Sequence, residues 1–260
     1  MSFLLYGHLY QIILRNKVLS CFKNTNSMHP TLSNLNQQGF TFCPPLYSEA
    51  EISNIVNTIE VNTKDKANFR RSNNLFAIRR FLLEVPEVLP LVFNQKIKSI
   101  LAELLGENYF LVKSIYFDKP ADSNWYVAYH QDLTISVNQK IETEGFGPWT
   151  IKPDNFAVQP PLSILEQMVT LRIHLDDTSA ENGALYIIPE SHNKGIIRPE
   201  LIDWSNTTEK VCPVEKGGVM LMKPLLLHSS KRTTNLQPRK VIHLEFANTE
   251  LPNGLEWAER

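Results

Sequence analysis

The chain is poor in cysteine, nearly free of net charge and without long apolar runs, and each shortage removes a class of function. Its three cysteines, Cys21, Cys43 and Cys212, are an odd number with no C-x-x-C spacing. That excludes a disulfide framework and fits reduced thiols in a cytoplasmic protein. Lys and Arg number 26 against 27 Asp and Glu. With no basic excess to neutralise phosphates or an anionic bilayer, neither nucleic acid nor membrane is expected as a partner. No apolar stretch approaches the roughly 20 residues that a spanning helix requires. Residues 3–14 are mildly apolar, but His8, Tyr10 and Gln11 interrupt them. Arg15, Lys17 and Lys23 follow this run instead of preceding it, opposite to a secretory signal. Residues 1–27 are therefore expected to be a disordered or non-native extension, and residues 28–260 a single domain. No internal repeat, low-complexity tract or linker argues for a second one.

What is present begins with helical signals. Ser48 and Glu51 form a capping box ahead of Ile52, Ile55, Val56 and Ile59, which predicts a helix over about 49–60. The apolar segments at 75–85 and 90–105 add further helical material, the second stopped by Gly106. A short strand at 37–42 precedes all of this, and 61–74 reads as polar loop. Beyond residue 106 the texture changes to strands at 109–117, 125–133, 168–175, 184–189, 217–223 and 240–247. Helices followed by strands broken by Pro and Gly predict an α+β, mainly β fold, a jelly roll of the double-stranded β-helix kind with helices packed on it. The segment 134–167, with Gly145, Gly147, Pro148, Trp149, Pro153, Pro160 and Pro161, reads as a long loop of the functional or disordered kind. Trp149 would either cap the site or pack within the loop.

The chemistry centres on His130-Gln131-Asp132. On a strand, residues two apart project from the same face, so His130 and Asp132 present an imidazole and a carboxylate together. With His228 far downstream they make a two-histidine, one-carboxylate set, which suits ferrous iron with three positions left open. Zinc would accept the same ligands, and an H-x-D tripeptide alone is weak. On the ligands alone a cupin-type hydrolase or isomerase, or a non-catalytic binding barrel, stays open.

Context narrows this. His130-Gln131-Asp132-Leu133 is followed in order by Leu175-Asp176-Asp177-Thr178, Glu181-Asn182-Gly183-Ala184-Leu185, Ile187-Ile188-Pro189-Glu190-Ser191-His192 and His228-Ser229-Ser230, with Arg239 beyond. This series resembles the phytanoyl-CoA dioxygenase family of Fe(II)/2-oxoglutarate oxygenases, over about residues 37–247. The resemblance implies His130, Asp132 and His228 as iron ligands and Fe(II), 2-oxoglutarate and O2 as the cofactor set. It implies Arg239 and Ser230 as contacts to 2-oxoglutarate; a guanidinium grips the distal carboxylate in a bidentate way that Lys cannot match. Gln131 and Ile115 match further family contacts to 2-oxoglutarate. Arg172 falls where the phytanoyl-CoA enzyme has tryptophan, a departure from the pattern. If 168–175 is a strand, Thr170, Arg172 and His174 share one face, which would line the lumen and leave a buried Arg172 in need of an anion from co-substrate or substrate. Related halogenating enzymes have a small residue in place of Asp132, so its presence favours hydroxylation. The expected activity is hydroxylation of an unactivated C–H bond in a small molecule. Arg79 and Arg80 read as surface charge, His192 as a turn former, and nothing favours His243.

Overall fold

A computed structural model of the protein describes residues 29–63, 70–72, 75–121, 125–152 and 155–260; the extension expected over 1–27 lies outside them. In chain order, α1 (His29–Gln38), β1 (Phe40–Cys43) and α2 (Glu49–Thr63) are followed by β2 (Arg70–Ser72) and β3 (Leu75–Arg79). Helices α3 (Phe81–Glu84), α4 (Leu89–Val92) and α5 (Gln95–Leu105) complete the first part. Then come β4 (Phe110–Lys119), β5 (Val127–His130), β6 (Ile135–Val137), β7 (Trp149–Lys152), β8 (Asn155–Val158) and α6 (Leu162–Gln167). The chain continues through β9 (Val169–His174), β10 (Leu185–Ile187), β11 (Lys210–Cys212), β12 (Val219–Met222), β13 (His228–Ser230) and β14 (Arg239–Ala247). No described helix is long and apolar enough to cross a membrane.

Local chemistry sets the helix ends. The Ser48 backbone N–H donates to Glu51 at 2.7 Å and the Glu51 N–H returns a bond to Ser48 Oγ at 3.3 Å, the reciprocal pairing that satisfies two orphan donors. Ile52, Ile55 and Ile59 then bury the predicted face. Helix α5 starts where the Asn94 side chain accepts from Ile97 N at 3.0 Å, and ends at Gly106, whose φ of 79° lies in the region glycine tolerates. The segment 75–85 is not one helix. Arg80, at φ 53°, divides it into strand β3 and helix α3, a break that apolar content alone does not reveal.

Two antiparallel sheets face each other. The larger has the order β1-β12-β9-β14-β4-β3-β2 and the smaller β11-β10-β13-β5. Alternation along the strands gives the larger sheet two buried faces. Leu171, Ile173, Val219, Leu221, Ile242, Leu244 and Phe246 pack against Ile52, Ile55, Phe81, Leu82, Ile97 and Leu101 of the helices. The opposite faces form the lumen, closed at one end by Phe40, Leu185, Ile187, Met220, Met222 and Leu226. The segment 134–167 corrects the loop expectation: it carries a third sheet, β6-β8-β7, and helix α6. Its Val158 and Leu165 pack with Leu251, Leu255 and Trp257, and Trp149 packs against this same cluster.

The C-terminal residues reach back to the main sheet. The Glu259 carboxylate, 3% exposed, accepts from Ser114 N at 3.0 Å and from Ser114 Oγ, and Ser114 Oγ in turn accepts from Leu82 N at 3.0 Å. Burial raises the Glu259 carboxyl to about 7, against the lowering effect of Ser114, Arg80 and Lys113. A carboxyl whose folded value is raised contributes stability that is full below its unfolded value and is lost as pH rises through the folded one. Wild type is therefore expected to lose roughly 2–3 kcal/mol from this group between pH 4.5 and 7.5. Glu259→Gln should flatten that part of the denaturant-measured stability profile; an unchanged profile would show that Glu259 is not its source.

Candidate metal centre

The cross-strand register of the larger sheet fixes which side chains share the lumen. Glu245 pairs with Lys113 on one side and Thr170 on the other. His243 pairs with Ile115 and Arg172, Val241 with Phe117 and His174, and Arg239 with Lys119. Because partners directly opposite point to the same face, these rows form one polar wall. Thr170, Arg172 and His174 alternate with Leu171 and Ile173, which pack in the helical core, and so lie on the opposite face, 0%, 5% and 2% exposed.

Across the lumen, the smaller sheet presents His130 and His228, which are register partners on β5 and β13. Their ring centroids lie 4.2 Å apart. His130 Nδ1 is 2.9 Å from the Ala128 carbonyl and His228 Nδ1 is 2.8 Å from the Leu226 carbonyl. A carbonyl can only accept, so each Nδ1 carries a proton, which makes Nε2 the nitrogen each neutral ring would offer to a metal. Both Nε2 atoms face the Asp132 carboxylate at 3.9 Å, one toward each oxygen. The ligand atoms of His130, Asp132 and His228 lie within 4.8 Å of one another, and the buried Asp132 Oδ2 has no hydrogen-bond partner. Burial pulls the His228 imidazole down to about 4, aided by His130 and opposed by Asp132. Burial would raise the Asp132 carboxyl, but His228, His243, Lys113 and His130 together hold it well below the usual carboxylate range. Two imidazole Nε2 atoms and a carboxylate thus converge on one point. That donor set fits a divalent cation, iron among them.

Arg239 also turns inward, 6% exposed, and donates to the Gly183 carbonyl, which Ser230 Oγ also reaches at 3.0 Å. A Cβ built on Gly183 would lie 3.0 Å from Lys119 Nζ and 3.2 Å from Ser230 Oγ, so Lys119, Ser230 and Arg239 gather around one glycine. Arg239 Nε has no partner, and burial together with Arg172 penalises its charge. Lys119 is fully buried, donates to the Lys231 carbonyl at 2.9 Å, and is lowered to about 8 by burial and by Arg239.

Other sites divide. Ile115 lies in the His243 row of the lumen, as its strand position requires. Gln131 is not brought to the site, which corrects the expectation drawn for it. Its Nε2 donates to the Gly195 and Leu225 carbonyls at 2.9 and 2.7 Å, and its Oε1 accepts from Ile197 N at 2.8 Å. Both amide N–H donors and the carbonyl oxygen are thus engaged by backbone groups beyond the end of β5. His192 pins the end of α1 through the Asn36 carbonyl at 3.0 Å. His243 and Lys119 were missed, although parity along the strand offers them: His243 shares a face with Arg239, and Lys119 with Ile115. His243 and Glu245 also fall within 4.8 Å of Asp132, but their polar atoms bond to Arg172, to Lys113 and to each other.

A double-stranded β-helix with this set of donors at its mouth is the architecture of the 2-oxoglutarate-dependent oxygenases. Within that class the chain belongs to the phytanoyl-CoA dioxygenase family, whose profile matches residues 35–241. Among curated proteins, a methylphosphonate hydroxylase from Gimesia maris is 22% identical over 244 residues, covering 86% of this chain and 82% of that one. A phytanoyl-CoA dioxygenase domain-containing protein from Danio rerio is 25% identical over 171 residues, covering 60% and 50%. Among solved structures, the non-heme α-ketoglutarate-dependent carbocyclase SnoK from nogalamycin biosynthesis superposes with a TM-score of 0.65 at 16% identity, covering 90% of this chain and 88% of that one. HygX from Streptomyces hygroscopicus, solved with nickel and 2-oxoglutarate, gives 0.62 at 16% identity and 88% coverage of both chains.

Removing the central carboxylate tests the centre. Asp132→Ala is expected to weaken Fe(II) or Co(II) binding, followed by anaerobic titration, by more than about 100-fold, beyond the cost of changes outside the ligand sphere. Affinity within a few-fold of wild type would exclude Asp132 from the centre.

Proposed function

We propose that the protein is an Fe(II)- and 2-oxoglutarate-dependent dioxygenase that hydroxylates an unactivated C–H bond of a small metabolite. The observation that carries this is the convergence of the His130 and His228 Nε2 atoms on the Asp132 carboxylate, with Arg239 and Ser230 buried in the same lumen. His130, Asp132 and His228 would hold the metal, and their fixed tautomers keep two lone pairs aimed at it without reorganisation. Arg239 would grip the distal carboxylate of 2-oxoglutarate, with Lys119 adding charge and Ser230 able to turn its hydroxyl from the Gly183 carbonyl to the incoming oxygen, while Ile115 forms an apolar side of the channel. When bound, ferrous iron with 2-oxoglutarate and O2 supplies oxidative decarboxylation to succinate and CO2 and the oxidising power for the C–H bond. The protein's part is to orient both carboxylates of the co-substrate and to keep bulk water from the wall behind them.

Hydroxylation, as opposed to the cyclisation and epimerisation named for structural neighbours, is supported by Asp132, which fills the position a halide would need, and by the methylphosphonate hydroxylase relative. A hydrolase using the same triad would have no use for a second buried cation at the far end of the lumen.

Arg239→Ala is expected to raise the 2-oxoglutarate concentration for half-saturation by about 30-fold or more, the scale of losing one partner of a buried charge pair. Lys240, whose side chain pairs with Asp176 at 3.6 Å outside the lumen, should tolerate alanine with less than about a twofold change. The readout is the weak visible charge-transfer band of anaerobic Fe(II) enzyme titrated with 2-oxoglutarate. Equal effects of the two substitutions would remove Arg239 from the co-substrate site.

A further inference from the structure

Lys119, Arg172 and Arg239 are buried cations on one wall, and among the described residues none has an acidic partner within ion-pair distance. Burying a charge without a counter-charge is costly, so such a wall is organised for anions. A dicarboxylate co-substrate brings two negative charges. On the function proposed above, one carboxylate would be held beside His130, Asp132 and His228 and the other by Arg239, Lys119 and Ser230, so both would be matched before Arg172 is used.

Arg172 is held as a receptor would be. Its Nη1 lies 3.0 Å from His243 Nδ1. A guanidinium only donates, so Nδ1 accepts and the ring proton sits on Nε2, which donates to Glu245 Oε1 at 3.1 Å. Lys113 Nζ donates to both Glu245 oxygens at 2.8 Å and to the Thr134 carbonyl at 2.8 Å. The chain Lys113–Glu245–His243–Arg172 therefore fixes one edge of the guanidinium and leaves Nε without a partner. Beside it on β9, Thr170 Oγ1 is also buried and unpartnered. A ring nitrogen of His243 lies within 4.8 Å of the Asp132 carboxylate, so Arg172 stands about one imidazole from the metal ligands.

We infer that Arg172 receives an oxyanion of the prime substrate, which makes that substrate a small carboxylate or phosphonate whose reacting C–H bond lies only a few bonds from the charge. This rests on the oxygenase function proposed above and adds the substrate class. His243 is then a positioning residue that acts through Arg172.

The test uses the full chain with Fe(II) and saturating 2-oxoglutarate, without oxygen. Propionate, ethylphosphonate and the uncharged propionamide are titrated separately, read by perturbation of the visible band and by the shift in melting temperature. Wild type should respond saturably to at least one oxyanion and not to propionamide. Arg172→Met should weaken that response by about tenfold or more, as befits loss of a charge-assisted bond, with 2-oxoglutarate affinity held within about threefold. Arg172→Lys, which keeps the charge without the planar fork, should fall between them and serves if the Met variant does not fold. Should Arg172→Met instead weaken 2-oxoglutarate and spare the oxyanion, the residue belongs to the co-substrate and the inference is overturned. It is equally overturned if wild type binds neither oxyanion, or binds the amide as well. Absence of any band with 2-oxoglutarate counts against the oxygenase function itself, while the melting shift still reports on the anion site.

Discussion

The whole arrangement depends on one geometric constraint: two imidazole Nε2 atoms and a carboxylate are made to face each other within 4.8 Å. They are held because each imidazole is tied by Nδ1 to the carbonyl two residues back, Ala128 within β5 and Leu226 just ahead of β13. Strand pairing, and not any tertiary afterthought, therefore orients the ligands. The antiparallel register that sets His130 opposite His228 also fixes the lone pairs' direction, and Asp132 enters from the turn after β5 to complete the set.

The opposite wall shows how a sheet sorts chemistry by parity. On β14, Ile242, Leu244 and Phe246 seal the helical core, while Arg239, Val241, His243 and Glu245 line the lumen. A natural core seldom keeps so many polar groups, and uncompensated buried charge costs stability. Apolar replacements on this wall would be expected to stabilise the empty protein at the expense of what it binds, the usual relation between a site and its scaffold.

Much of this was readable beforehand, and the failures have identifiable causes. His130, Asp132, His228, Arg239 and the inward turn of Arg172 follow from motif order and from period-two alternation on strands. His243 and Lys119 escaped because their importance lies in register with neighbouring strands, which a single chain does not display until the pairing is known. Gln131 differs: it is adjacent in sequence to two ligands, yet its amide is engaged by backbone groups of Gly195, Leu225 and Ile197, remote partners that sequence order does not display. The segment 134–167 looked like loop because its strands are three or four residues long and its Pro and Gly content is high. β7 pairs locally with β8, but the pairing of β6 with β8 and the apolar cover from Leu251, Leu255 and Trp257 are non-local.

The two histidines are not equivalent. The His228 side chain is 5% exposed and sits on an inner strand, whereas that of His130 is 40% exposed on β5, the outermost strand of its sheet. The centre therefore has a fixed side and a loose side. Solvent thus reaches the donor set from the edge strand, while the Asp132–His228 half is enclosed by its neighbours.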